Sequence, residues 1–471
     1  MTTPGPDIAS PNSDTPPSIY SDRSFWGLTI SQFLGAFNDN LFKQLVLLLC
    51  IDYSRQAAVA EGLDPSLAGD RYSSLAQAAF SVPWLLLSGI AGVMGDCVSK
   101  RTGIVRFKAA EIIVMLAGLA AFLSGQLWPL LLVLFLMSGQ STFFGPPKYG
   151  CLPELFSKHQ LPQINGVFQM TTFVAIIFGM AAAGIARQSL PGQSGLALIS
   201  AGSIAIAAIG LMFALMIRPI PAAHPELKFR WTQALGDPDN WRLIRSERFL
   251  LGVLLASSVF WFAGGVVLLA VNNFGKIELG LGDGRTSLMA ACMGIGIAIG
   301  CLLSGSLSKQ RIRFSVVTVG AWCIAVSLVA LTLLPWLIGQ PEPTSAGSAG
   351  MLTVLLTAQP VEWASRGLLI LLGLSAGLFV VPLQVALQAV PPEDQRGRMI
   401  GTMNLVNWTG ILLSAVFYGV FEGVRGSLNK SLTLDLQPST VFATLAVPIV
   451  CIALFYRPAD RDLSDVSTAD A

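Results

Sequence analysis

Between Gly35 and Lys43 the chain sets two amides, a carboxylate and an ammonium, Asn38, Asp39, Asn40 and Lys43, inside an otherwise apolar run. A charge at the centre of a bilayer-spanning helix costs at least about 2.5–3.5 kcal/mol and is characteristically kept for a permeation pathway or a bound ion. Asp39 and Lys43 stand four apart with the acid first, so an ion pair bracing one helix face is one reading. Successive helical residues turn by about 100°, however, and one lysine cannot satisfy three polar neighbours. At least one of Asn38, Asp39 and Asn40 must therefore face another helix, water or a ligand.

Other polar groups recur at helical spacing. Glu111 follows Lys108 by three positions, which favours a local ion pair. Gln384 and Gln388 share a face of one run, and Asn404 and Asn407 lie on the next. Uncharged amides so placed are usually interhelical glue, but a cavity charged in one half and amide-lined in the other also suits an amphiphile with a polar end. Gly145-Pro146-Pro147 predicts an interrupted or terminated helix, because two ring nitrogens donate nothing and the rings crowd the preceding turn. Irregular backbone at that depth is tolerated where it lines a cavity. The adjoining Lys148 either reaches an anionic head group there or only snorkels to the interface. The seven cysteines form no Cys-x-x-Cys and read as small apolar fillers, so no metal site and no cofactor are expected.

Such groups need helices that hold them in a bilayer. Of the 471 residues 53% are hydrophobic and only 12% charged, against about 25% charged in an average soluble domain. Apolar runs of spanning length fall at about 24–50, 73–95, 104–125, 128–152, 165–187, 196–217, 249–273, 285–307, 314–336, 366–390, 398–421 and 440–456. The expectation is an all-α polytopic membrane protein of twelve transmembrane helices in two six-helix bundles, 24–217 and 249–456. A disordered Pro- and Ser-rich tail, 1–23, would precede them, a linker, 218–248, would join them, and a short tail, 457–471, would follow. With the amino terminus inside, 20 Lys and Arg lie on the cytoplasmic side and 8 on the other, which predicts both termini cytoplasmic. A net charge of +2 gives no reason to expect a nucleic-acid partner. The linker interleaves Lys228, Arg230, Trp231, Trp241, Arg242 and Arg245, a mixture suited to an anionic leaflet or to a plain solvated connection. Equal halves invite a repeat: Gly92 answers Gly300, Pro146 answers Pro382, and Gly166 answers Gly401.

Gly92-x-x-x-Asp96 followed by Lys100-Arg101 resembles the signature between the second and third spans of the major facilitator superfamily. Its physical sense is a conformational latch: glycine permits close helix approach, and Asp96 can cap the neighbouring helix and pair with a base in one conformation only. Cys97 and Ser99 stand where that signature carries a base and a glycine, which predicts a looser latch. Gly35-Ala36-Phe37-Asn38-Asp39-Asn40, Phe144 to Gly150, Leu152-Pro153-Glu154-Leu155, Asn165-Gly166 and Gly377 to Gln384 together resemble the lysophospholipid transporter branch of that superfamily.

That resemblance implies alternating-access movement of lysophospholipids from the outer to the inner leaflet of a bacterial inner membrane. Asp39 would match a first-span acid for a coupling cation, sodium or proton, and for substrate. Lys148 would match the basic residue of the fourth-span motif. Asn38 and Asn40 would orient the polar group, with Lys43, Gln384, Gln388 and Asn404 as further binding candidates. The departure is the seventh run: no charge stands between Leu250 and Asn273, where some relatives carry an arginine that can meet the lipid phosphate. Enzyme signatures are missing. There is no Gly-x-x-x-x-Gly-Lys-Ser/Thr and no His-x-x-x-x-Asp, and no Gly-x-Ser-x-Gly elbow, since the one match, Gly373 to Gly377, lies inside an apolar spanning run; an acyltransferase partner would be a separate chain. Export of drugs or small solutes, or a non-transporting scaffold that holds an acyltransferase at the bilayer, are the rival readings.

Overall fold

The computed structural model describes residues 18–60, 71–228, 230, 233, 236–308, 311–339, 358–433 and 435–463. The apolar runs become helices α1 (Arg23–Ala60), α2 (Arg71–Cys97), α3 (Lys100–Ser124), α4 (Leu127–Gly150), α5 (Leu161–Ser189) and α6 (Gly192–Leu215) in the first half. The second half holds α7 (Arg248–Asn273), α8 (Asp283–Ser308), α9 (Phe314–Ile338), α10 (Pro360–Ala389), α11 (Arg396–Leu432) and α12 (Thr440–Phe455). Among the described residues eleven helices are long and apolar enough to cross a membrane. The twelfth, α12, has 16 residues and at 1.5 Å each reaches only about 24 Å, short of a hydrocarbon core of about 30 Å.

The packing repeats. In the first half α1 lies against α5, α2 against α4, and α3 against α4 and α6; in the second α7 lies against α11, α8 against α10, and α9 against α10 and α12. The halves meet where α2 packs on α11 and α5 on α8. Both crossings depend on glycine near one end of the molecule, the end that carries the α2–α3 junction and most of the Lys and Arg. A Cβ on Gly92 would lie 2.9 Å from the Gly397 carbonyl oxygen, and one on Gly166 would lie 2.7 Å from that of Cys301. The predicted match of Gly92 with Gly300 needs correction. Gly300 packs on Leu374 of α10, inside its own bundle, and the glycine that meets Gly166 across the halves is Gly305.

Helix α4 also departs from expectation, because it passes through Pro146 and Pro147 and ends only at Gly150. Its neighbours make room for the rings. A Cβ on Gly95 of α2 would sit 2.9 Å from the Pro146 Cβ, and one on Gly103 of α3 would sit 3.2 Å from the Pro147 Cγ. The linker carries a short helix docked on the protein. A nine-residue helix, Pro238–Ser246, starts at Asp237, whose side chain accepts from the Asp239 and Asn240 amides. Its Asn240 and Ile244 are buried against the protein while Arg242 and Arg245 face out. Trp231 and Lys309 lie outside the described residues, as do 1–17 and 464–471 of the tails and 340–357 of the α9–α10 connection.

Candidate functional site

The three polar residues at the centre of α1 fan out to three different environments, as the 100° step requires. Asn38 is buried, and its Nδ2 donates to Glu111 Oε1 of α3 and to the Ser203 carbonyl of α6, both at 3.2 Å. Asp39 turns to α4, where the Ser141 hydroxyl donates to its Oδ2 at 2.5 Å. Asn40 donates back to the Ala36 carbonyl one turn earlier, at 2.8 Å. The Asp39–Lys43 pair does not form. The Lys43 ammonium instead stands 4.4 Å from the centroid of the Phe80 ring on α2, a cation–π contact that a desolvated cation makes readily.

The acid sits beside a buried ion pair. Lys108 and Glu111 meet at 2.5 Å with almost no exposure, at the spacing that favoured it. The lysine stem fits because α6 carries glycine there: a Cβ on Gly210 would lie 2.7 Å from Lys108 Cε. Asp39 is thus within electrostatic reach of Glu111, Lys108 and Lys148. Unlike Asn38, Asp39 is only half-buried as a residue. Lys148, also partly exposed, places its ammonium 4.4 Å from the Tyr149 ring centroid and 5.7 Å from that of Phe144. It makes no ion pair among the described residues. Ring faces hold the cation without neutralising it.

The amides of the second half divide. Gln388 is spent in a reciprocal pair with Asn165 of α5, each side-chain amide donating to the other at 2.9 Å across the two halves. Gln384 is buried and its Nε2 meets no acceptor among the described residues. Asn404 faces α4, with its Nδ2 3.0 Å from where a Cβ on Gly145 would stand. Asn407 accepts from the Ser257 hydroxyl of α7 at 3.1 Å.

At the glycine crossing Asp96 reaches from α2 to the start of α11. Its carboxylate accepts from the Gly397 amide at 2.7 Å, the Arg398 amide at 3.0 Å and Arg398 Nε at 3.2 Å. The orphan amides of one bundle's helix are therefore capped by the other bundle. The base in this latch is Arg398, not Lys100 or Arg101. Lys100 binds Glu154 at 2.5 Å while staying within electrostatic reach of Asp96, and Arg101 donates to the Ile217 and Leu215 carbonyls. Cys97 and Ser99 turn to the linker: Cys97 Sγ donates to the Leu227 carbonyl at 3.0 Å and Ser99 Oγ to that of Ile220 at 2.6 Å. Sequence reasoning missed Ser141 and Arg398. The second left a signal, since Gly397-x-x-x-Gly401 at the start of α11 is the small-residue face that Gly92 requires.

The sequence profile of the Major Facilitator Superfamily matches residues 28–415. The lysophospholipid transporter LplT of Serratia proteamaculans (strain 568) is 26% identical over 410 residues, covering 84% of this chain and 88% of that protein. The protein of the same name from Yersinia pestis (strain Pestoides F) is 27% identical over 407 residues, covering 84% and 86%. Among solved structures, the proton:xylose symporter XylE bound to 6-bromo-6-deoxy-D-glucose superposes with a TM-score of 0.66 at 13% identity, over 95% of this chain and 99% of that one. The human organic anion transporter MFSD10 superposes with a TM-score of 0.63 at 15% identity, over 92% and 99%. At such identities the structures share the fold alone.

Proposed function

The chain belongs to the Major Facilitator Superfamily, and from that premise we propose that it is a secondary transporter moving lysophospholipids across a bacterial inner membrane toward the cytoplasmic leaflet. The observation that carries this reading is Asp39: a carboxylate at spanning depth on a half-buried residue, joined to α4 through Ser141 and to no lysine on its own helix. A coupling cation, sodium or proton, binds at Asp39 with Ser141 as a further oxygen ligand or proton partner. Lys148, whose ammonium lies against ring faces and makes no ion pair among the described residues, attracts the lipid phosphate. Asn38 is held by its Nδ2 bonds to Glu111 and Ser203, and its Oδ1, which meets no donor among the described residues, is the atom that orients the polar group.

The Lys/Arg bias orients the basic end and both termini to the cytoplasm. That end is the one latched by Asp96, so the fold described here is closed toward the cytoplasm. Alternating access then requires the Asp96 bonds to Gly397 and Arg398 to break, a cost met by differential binding of ion and lipid to the two states. The named relatives are lysophospholipid transporters, which favours this substrate over drugs or small solutes. Reacylation would fall to a separate acyltransferase chain. Movement of labelled lysophosphatidylethanolamine from the outer to the inner leaflet of right-side-out membrane vesicles tests the reading. The Asp39→Asn variant should fold and lose uptake at least tenfold; uptake unchanged in that variant rejects Asp39, and no lipid movement by the unaltered protein in liposomes rejects the function.

A further inference from the structure

At the end of the second half opposite the latch, α8 and α10 bury a charged triad that the transport cycle above does not use. Glu362, in the first turn of α10, is fully buried. Its Oε1 accepts from Arg285 Nη1 of α8 at 2.6 Å, and its Oε2 from Arg366 Nη2 one turn along α10 at 2.9 Å. Within the triad one carboxylate faces two guanidiniums. Arg366 is 2% exposed, and its Nε and Nη1 find no acceptor among the described residues. Three N–H groups of a buried cation are thus left over after the carboxylate has been satisfied.

A mere brace does not need them. A lysine at 366 would hold Glu362 Oε2 with a single point charge, whereas a guanidinium presents further donors in a fixed plane. Buried polar groups are nearly always paired, and a guanidinium N–H can be paired only by an acceptor. An oxyanion is the acceptor that also matches the charge. The depth narrows the choice. Arg366 lies six residues into α10, about 9 Å along its axis at 1.5 Å per residue. The Trp363 ring, 52% exposed, lies 5.2 Å from its Cζ, and tryptophan at a helix end favours the head-group level of a bilayer.

We propose that Arg366, with Arg285 and Glu362 holding it in place, is a phosphate-binding site at the outer end of α8 and α10, taking either the phosphodiester of a lipid head group or free phosphate. It stands without the choice of transported lipid, because it needs only a phosphate.

Binding is measured on the full chain in a phosphate-free maltoside detergent, by melting temperature and by tryptophan fluorescence. An Asp39→Asn, Lys148→Gln background removes the central site. Inorganic phosphate, glycerophosphoethanolamine, lysophosphatidylethanolamine and monoacylglycerol are titrated separately. Ligands that carry phosphate should bind saturably and raise the melting temperature, and monoacylglycerol should not. Arg366→Gln should weaken that binding at least tenfold, and Arg366→Lys less. Equal binding by phosphate and lysolipid assigns the soluble source; binding by the lysolipid alone assigns the head group. Unchanged affinity in a folded Arg366→Gln protein overturns the proposal, as does lysolipid binding no stronger than monoacylglycerol together with no phosphate binding. Should Arg366→Gln fail to fold, the ligand series on the background protein decides the matter. Binding here that survives while Asp39→Asn still transports would sink the central-site reading and leave this one standing.

Discussion

Asp39 and Lys108 are charges of opposite sign in the same bundle, and their surroundings give them different work. Lys108 is matched by Glu111 at 2.5 Å and sealed. Asp39 has a single neutral donor, Ser141, and is only half-buried as a residue. A hydrogen bond to a charged group contributes about 1.5–3 kcal/mol, so Ser141→Ala should cut lysolipid uptake or cation affinity by roughly tenfold or more, less than Asp39→Asn. Vesicle uptake against cation concentration reads this as a raised half-saturation point. Breaking the sealed pair is a different kind of injury. Glu111→Gln or Lys108→Met leaves an uncompensated buried charge or an orphaned partner at a cost of about 3–5 kcal/mol, which a lowered melting temperature in detergent should show, whereas the double change Lys108→Met with Glu111→Leu should recover most of it. The Lys108–Glu111 pair was legible from its spacing because both partners lie on one helix. Ser141 was not: a hydroxyl in an apolar run carries no pattern, and its partner comes from another helix. The Asp39–Lys43 spacing allowed a pair that Phe80 pre-empted by offering Lys43 a ring face.

Helix α11 begins without a side-chain cap of its own, and Asp96 of α2 provides one. The latch therefore combines a cap, an ion pair with Arg398 and a glycine crossing in which Gly92 and Gly401 leave no room for side chains. Loss of a helix N-cap alone costs about 1 kcal/mol, enough to change a two-state ratio about fivefold. Asparagine keeps one capping oxygen but loses the second acceptor and the charge that meets Arg398, so Asp96→Asn should lengthen the distance between spin labels at the basic ends of α2 and α11 in a growing fraction of molecules. Gly401→Leu should do so by steric force with the charges intact; an unchanged distance distribution in both variants would remove this crossing from the gate. Hydropathy located every long helix, since a run of about 20 apolar residues leaves few alternatives. The ends escaped it. Helix α11 runs to Leu432 rather than 421, because Arg425 pairs with Glu422 and, with Asn429, reaches the Leu436 carbonyl, so polar residues continue the helix where apolar counting stops. The charges Arg285, Glu362 and Arg366 likewise lie inside α8 and α10, where their mutual pairing makes burial tolerable.

Across the whole molecule the repeat supplies two matching crossings, α2 on α11 and α5 on α8, and among the described residues the linker docks on the first. The His224 amide donates to the Asp96 carbonyl at 2.9 Å, Asn240 Nδ2 donates to Thr402 Oγ1 at 2.7 Å, and Asp237 lies 3.7 Å from Arg398. Cys97 and Ser99, the two positions that depart from the superfamily signature, hold the same segment. The linker thus touches α2 and α11 together, and both sets of contacts can persist only while the two ends stay close. Its docking should report the state of the latch. Trypsin cuts where local opening exposes backbone, so cleavage after Arg242 and Arg245 should be slow in the closed protein and accelerate when the Pro238–Ser246 helix lifts. Asn240→Ala with Asp237→Ala should accelerate it directly by about the factor that two lost hydrogen bonds imply, roughly tenfold or more. Asp96→Asn alters nothing in the linker and should still accelerate it, because opening the latch draws Thr402 and Arg398 away from Asn240 and Asp237. Equal cleavage rates in the Asp96→Asn and unaltered proteins, with spin labels reporting an opened crossing, would show that the linker rides on one half alone.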